Sequence, residues 1–284
     1  MRIVSMVPSW TETLLMCNVQ IVGRTRFCIH PDSLVKCIPA VGGTKDVRWE
    51  LVKELKPDLL ILDQEENPRS MSDESPVEVL ATHVRSANDV ARDLRKIADR
   101  LGSGGSSKKL RDLAERWDCI VQHKLSEPPP LEGFPGVVRW IRGPVSVSRS
   151  KYSSNAHSSN AHSSNEQIGN RFVYVIWQRP WMAASRGTFI SSVLDILGVS
   201  PDRLWPGPEE LGSEELGATY PAFEMASAPQ NSVFFFSTEP YPFNAKSNEL
   251  IKLPLQSIAI VDGESFSWFG VRSLEFLEAA LSVG

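Results

Sequence analysis

The feature that most constrains this chain is an alternation of short apolar runs with helix-like segments, repeated along its length. Residues 2–7 read as a strand, and Ser9-Trp10-Thr11-Glu12 reads as a capping box in which the Ser9 hydroxyl accepts from the Glu12 amide. A helix is expected to start there and to end near Asn18. A strand at residues 19–22, the Gly42-Gly43-Thr44 turn, a helix over residues 47–56 and the apolar run 59–62 continue the pattern. Strands that alternate with helices imply a parallel sheet, because each helix carries the chain back to start the next strand in the same direction. Residues 76–81 read as another strand, and Ser86-x-x-Asp89 caps a helix that ends at Gly102. The stretch between Leu62 and Pro76 is short for a parallel crossover, which takes about a dozen residues or more. It is expected to be irregular or only one turn helical.

Residues 102–107 (GSGGSS) read as a flexible break. After it, Leu110, Leu113, Ala114, Trp117, Val121 and Leu125 recur at helical spacing, and Pro128-Pro129-Pro130 stops the pattern. At ~1.5 Å per residue a helix over residues 107–124 spans roughly 27 Å, enough to run alongside or between two lobes. Residues 151–167 hold the tandem units SSNAH, SSNAH and SSN, with almost nothing to bury, so disorder is expected there, and His157 and His162 receive no function. Residues 137–141 and 172–177 read as strands on either side of this insertion. A second alternating series follows: a helix over residues 188–197 stopped by Gly198, strands at 233–236 and 258–261, and a terminal helix over 273–281. The expected division is an N-terminal α/β lobe over residues 1–106, a linking helix over 107–127, an insertion over 128–171 and a C-terminal α/β lobe over 172–284.

Composition narrows the partners. A net charge of -4 over 284 residues, with 23% charged and 42% hydrophobic residues, gives no electrostatic pull toward nucleic acid or an anionic membrane. Cys17, Cys28, Cys37 and Cys119 have no zinc-ribbon spacing and are too sparse for a disulfide-stabilised domain, so reduced thiols are expected. The N-terminus runs straight into a strand without a long apolar stretch, and no run is long enough to cross a bilayer. This reading places the chain in the cytoplasm, or in the periplasm if the true N-terminus differs.

In parallel sheets, ligands sit at the carboxyl ends of the strands, and here those positions are unusually aromatic. The first lobe offers Ser9, Trp10, Cys28, His30, Thr44 and Glu66; the second offers Trp177, Arg179, Trp181, Glu239, Tyr241 and Phe243, with Trp268 after the last strand. Tryptophan and tyrosine present a rigid apolar face with a polar edge, which suits a large planar ligand. Alternation along Cys28-Ile29-His30 puts Cys28 and His30 on one face, where either could reach a metal at the centre of such a ligand. The bland alternatives are aromatics that close the core, a buried Cys28, and a His30 bonded to the adjacent turn. No nucleophile elbow, P-loop, dinucleotide fingerprint or His-Glu-x-x-His motif occurs. The reading is therefore non-catalytic binding, with no catalytic residue, no resident metal and no required cofactor. Its rival is a cytoplasmic metal-assisted hydrolase using Cys28, His30 and Asp262.

The segments RIVSMVPSWTETL, VGRTRFCIHP, VGGTKDV, LKPDLLILDQEEN, VYVIWQRPWM, TFISSVLDILG, EPYPF and VDGESFSWFG, in this order and spacing, resemble the helical-backbone (TroA-like, class III) substrate-binding proteins of ABC importers, most closely the cobalamin-binding branch. The resemblance covers most of the chain outside residues 124–171. It implies an α/β fold of two lobes with mainly parallel sheets joined by a single long backbone helix, with cobalamin, haem or a ferric siderophore gripped between the lobes. It also implies an ABC permease as partner.

Overall fold

A computed structural model of the chain describes residues 1–143, 171–207, 219–229 and 231–282. In chain order the first elements are β1 (Ile3–Ser5), α1 (Pro8–Met16), β2 (Ile21–Thr25), α2 (Asp32–Val35), β3 (Ala40–Gly42), α3 (Trp49–Leu55), β4 (Leu59–Asp63), α4 (Arg69–Asp73), β5 (Val79–Thr82), α5 (Ala87–Leu101) and α6 (Gly105–Gln122). Then follow β6 (Val137–Arg142), β7 (Phe172–Trp177), β8 (Trp181–Ala183), α7 (Phe189–Ile196), β9 (Ala222–Phe223), β10 (Val233–Ser237), α8 (Ser247–Leu250), β11 (Ser257–Val261), α9 (Gly263–Ser267) and α10 (Val271–Leu281). The repeat-bearing residues 151–167, for which the sequence leads to an expectation of disorder, lie outside the described residues.

The chain forms two compact units. The first comprises Met1–Glu127, Gly187–Gly198 and Gly263–Gly284; the second comprises Pro128–Arg186 and Val199–Asp262. This departs from contiguous lobes, because α7, α9 and α10 pack with the N-terminal unit. The helix over residues 105–122 stands where a linking segment is expected over 107–127, and it packs within the first unit against α5 and α10.

The first unit is built on a wholly parallel sheet of order β3-β2-β1-β4-β5. The order reverses between β1 and β4, the position at which ligands of doubly wound sheets bind. One face is filled by Val4, Met6, Val41, Val52, Leu60, Leu62 and Met71, and the run Leu59–Asp63 is buried throughout, as a central parallel strand covered on both faces requires. The short β4–β5 connection holds a single five-residue helix, α4, as its length predicts. On α5 the expected cap forms: the Asp89 carboxylate accepts from the Ser86 amide and hydroxyl, both at 2.9 Å.

Two local expectations fail. α1 begins at Pro8 with Val7 at the N-cap, so Ser9 lies inside the helix and its hydroxyl caps nothing. Proline at the first helical position needs no amide partner and has its φ already set, so the helix starts before the serine. The glycine-rich break shrinks to residues 102–104, because packing against α5 draws Gly105, Ser106 and Ser107 into α6.

The second unit carries a mixed sheet of order β6-β11-β10-β7-β8-β9, in which β7, β10 and β11 are parallel while β6, β8 and β9 run antiparallel to their neighbours. The antiparallel strands β8 and β9 are not visible as apolar runs, since a three-residue and a two-residue strand carry no periodicity. Val173, Val175, Phe234, Phe236, Ile258 and Ile260 form the centre of its core. Among the described residues no helix is long and apolar enough to cross a membrane.

Candidate functional site

The loops that follow β1, β3 and β4 are tied together by Asn67, which donates to the Met6 carbonyl (3.2 Å) and the Thr44 carbonyl (2.9 Å) while accepting from the Asp63 amide (2.9 Å). Thr44 and Glu66 are thus placed at the carboxyl edge of the first sheet. Asp63 anchors the same edge by accepting from the Thr82 hydroxyl (2.6 Å) and the Glu65 and Val84 amides (3.0 and 3.2 Å). Burial pushes its carboxyl above the ordinary range, and these hydrogen bonds offset part of that push. A surface hollow of about 450 Å³ opens here beside Gln64, Asn67, Arg69, Ser72 and Asp73. Its lining includes none of the aromatic residues expected at the site.

Three expected site residues of the first unit belong to its core. Trp10 is fully buried; its indole N–H donates to the Thr82 hydroxyl at 2.9 Å, and its ring meets Phe269 edge-on at 4.9 Å. Ser9 is 3% exposed. Cys28 is 1% exposed and lies 3.1 Å from both the Thr11 and Thr25 hydroxyls. Burial pushes its thiol pKa up, and the two hydroxyls pull in the opposite sense. Cys28, Ile29 and His30 follow the turn at residues 26–27 and are buried, exposed and half-buried in that order, so of the two expected residues only His30 keeps access to solvent.

His30 is placed differently. Its side chain is 29% exposed, and its Nε2 lies 3.1 Å and 3.0 Å from the two carboxylate oxygens of Glu264 on α9. Its ring meets Trp268 edge-on, with centroids 5.3 Å apart. Arg272 on α10 places Nη1 3.2 Å from Glu264, and its guanidinium lies 5.4 Å from the Trp268 ring centroid. The same guanidinium donates twice to Glu12 on α1, at 2.6 and 2.9 Å. Glu12, Glu264 and Arg272 are not among the site residues expected from the sequence. The available signal was Glu12 itself, a carboxylate on a helix whose every residue from Pro8 to Leu14 is buried, since a buried charge needs a partner. Trp268, at 8% exposure, supports this cluster more than it forms a wall. Phe27 and Ile29, flanking in sequence, are 48% and 49% exposed and leave an apolar surface on the same loop.

In the second unit the aromatics do gather. Trp177 is 39% exposed and meets Tyr241 edge-on at 5.4 Å; Tyr241 donates its hydroxyl to the Gln178 side chain at 2.8 Å. Trp181, partly buried, stacks on Phe243 at 6.2 Å with 11° between planes. Phe243 is fully buried and supports Trp181 and Tyr241 from beneath. Arg179 is exposed at the β7–β8 turn and adopts φ +72°, a left-handed conformation uncommon for a bulky residue. Glu239 is half-buried in the loop after β10 that carries Tyr241. Among the described residues no three His, Cys, Asp or Glu side chains gather as a metal site.

A wholly parallel sheet in one unit and a mixed sheet with a parallel centre in the other give a two-sheet α/β fold, and that fold is shared with solved structures of substrate-binding proteins. Solved structures with this fold align over nearly the whole chain. The periplasmic vitamin B12 binding protein BtuF of Vibrio cholerae matches with a TM-score of 0.64 at 15% identity, over 99% of this chain and 95% of that one. The periplasmic heme-binding protein RhuT of Roseiflexus sp. RS-1 matches equally, at 0.64 and 15%, over 99% and 96%. IsdE of S. aureus, solved with heme, matches at 0.64 with 11% identity, over 99% and 98%. No protein-family model matches the sequence, and no curated protein matches it. The likenesses lend no support to the cytoplasmic location expected from the N-terminal strand, since the first two proteins are described as periplasmic.

Proposed function

We propose that this protein reversibly binds a metal chelate of the corrinoid or haem type and acts as the substrate-binding component of an ABC importer. The observation that carries the reading is a fold shared from end to end with proteins described as binding vitamin B12 and heme. The residues suit it: Trp177, Trp181 and Tyr241 offer aromatic area for a planar macrocycle, and Arg179 and Glu239 stand on the same two loops as polar contacts. In the first unit His30 supplies an axial donor, with Thr44 and Glu66 at the sheet edge. The metal arrives with the cargo, and no covalent step is involved. The hydrolase alternative loses its proposed thiol, because Cys28 is enclosed by protein.

Titration with hemin, with a corrinoid bearing exchangeable axial waters and with a ferric siderophore, followed by visible absorption and tryptophan emission, tests this reading. At least one probe is expected to bind and quench emission. Trp181→Phe should reduce that quench, and His30→Ala should shift the visible bands and weaken binding by about one to two orders of magnitude. If all three probes leave emission and spectra unaltered, the reading fails.

A further inference from the structure

We propose that Glu264, held in place by Arg272, is a positioning residue that keeps the proton of His30 on Nε2 and so directs Nδ1 at the metal of the bound chelate. The inference rests on the reading of His30 as axial donor. A neutral imidazole carries one N–H and one lone pair, and an ionised carboxylate only accepts. Glu264 presents both oxygens to Nε2, at 3.1 and 3.0 Å, so the N–H belongs there. Nδ1 has no hydrogen-bond partner among the described residues, and its lone pair is left for a ligand.

The geometry is held from three helices. Arg272 on α10 contacts Glu264 at 3.2 Å and is itself anchored by a two-bond fork on Glu12 of α1, while Glu264 sits on α9. The edge contact with Trp268 restrains rotation of the imidazole. A carboxylate on the far nitrogen of a ligating histidine fixes its tautomer and makes it a stronger donor. Charge points the same way. Two carboxylates against one guanidinium leave one net negative charge beside the imidazole, which complements the cationic metal centre of a ferric or cobaltic chelate. A histidine that merely closed the core would not need this three-member support for one of its nitrogens.

The test has a ligand-free arm and a loaded arm, on the full chain. With ¹⁵N-histidine, long-range ¹⁵N–¹H correlation at about pH 8.5, above the ordinary imidazole range, reads the tautomer of His30, assigned by its loss in His30→Ala. The Nε2–H pattern is expected in the wild type and in Glu264→Gln, which keeps an acceptor, and a mixture of tautomers in Glu264→Ala. With hemin or the corrinoid as probe, Glu264→Ala should weaken binding about 10- to 100-fold and move the visible bands toward those of His30→Ala, with Glu264→Gln between. An Nδ1–H pattern in the wild type overturns the proposal. So does a Glu264→Ala protein that binds the probe with wild-type bands and affinity. If Glu264→Ala does not fold, Glu264→Gln and Arg272→Lys carry the same comparisons. Absence of any His30-dependent band change in the wild type overturns the axial role on which the inference rests, and is told apart because the tautomer is read without ligand.

Discussion

The four thiols divide by exposure: Cys17 and Cys28 are buried, Cys37 and Cys119 exposed. Burial pushes the Cys17 pKa up to about 11 and that of Cys28 upward as well, so both are scarce as thiolate as well as shielded. At mildly alkaline pH an aromatic disulfide reagent should titrate Cys37 and Cys119 rapidly, and Cys17 and Cys28 only on denaturation. Rapid reaction of Cys28 in the native protein would show that its enclosure is wrong. A second constraint lies at Gly270. It has φ +100°, and a Cβ there would fall 2.1 Å from the Thr13 hydroxyl, which also accepts from the Val271 amide. Gly270→Ala should therefore destabilise by about 2–4 kcal/mol in urea unfolding, combining backbone strain with overpacking. A variant as stable as the wild type would mean that α1 and the start of α10 do not approach so closely.

Among the elements, α6 shows how amphipathic spacing becomes packing. Leu110, Leu113, Ala114, Trp117 and Ile120 are its buried stripe. Trp117 is fully buried, meets Phe189 of α7 edge-on at 6.1 Å and donates its indole N–H to the Gly270 carbonyl at 3.0 Å. Trp117→Ala should cost about 3–5 kcal/mol, whereas Trp117→Phe keeps most of the burial and should cost about 1–2 kcal/mol for the lost hydrogen bond. Chemical denaturation of the two variants side by side checks the difference. α7 is set by a cap at its N-terminus: the Thr188 hydroxyl accepts from the Ser191 amide at 2.9 Å.

For the whole molecule, the order in which the chain visits its two units matters most. The first unit is completed only when α7, α9 and α10 return to it after long excursions. They bring Phe189 to Trp117, Phe269 to Trp10 and Arg272 to Glu12. A fragment ending at residue 127 would leave Trp10 and Trp117 without those partners and Glu12 as a partly buried charge without its guanidinium. Such a fragment should lack a cooperative unfolding transition and near-ultraviolet dichroism. A fragment that unfolds cooperatively with native-like dichroism would show that the N-terminal segment is self-sufficient.

Local patterns in the sequence were enough for the parallel α/β character, the Ser86–Asp89 cap, the existence of α6 and the shortness of α4. Each depends on residues close together in the chain: strand-length apolar runs, a four-residue cap, a heptad-scale stripe, a crossover length. They also placed His30, Trp177, Trp181 and Tyr241 at strand ends as candidates. Which aromatics are core was settled by tertiary contacts alone. Trp10 and Trp177 look alike in sequence, each near the carboxyl end of a strand, yet one is sealed by Phe269 and Thr82 and the other keeps an open face. The same contacts joined Glu12, His30, Glu264 and Arg272, which lie as far as 260 positions apart and share no local signal. Burial and charge pairing are properties of what surrounds a side chain in space, and that environment is assembled from the whole chain.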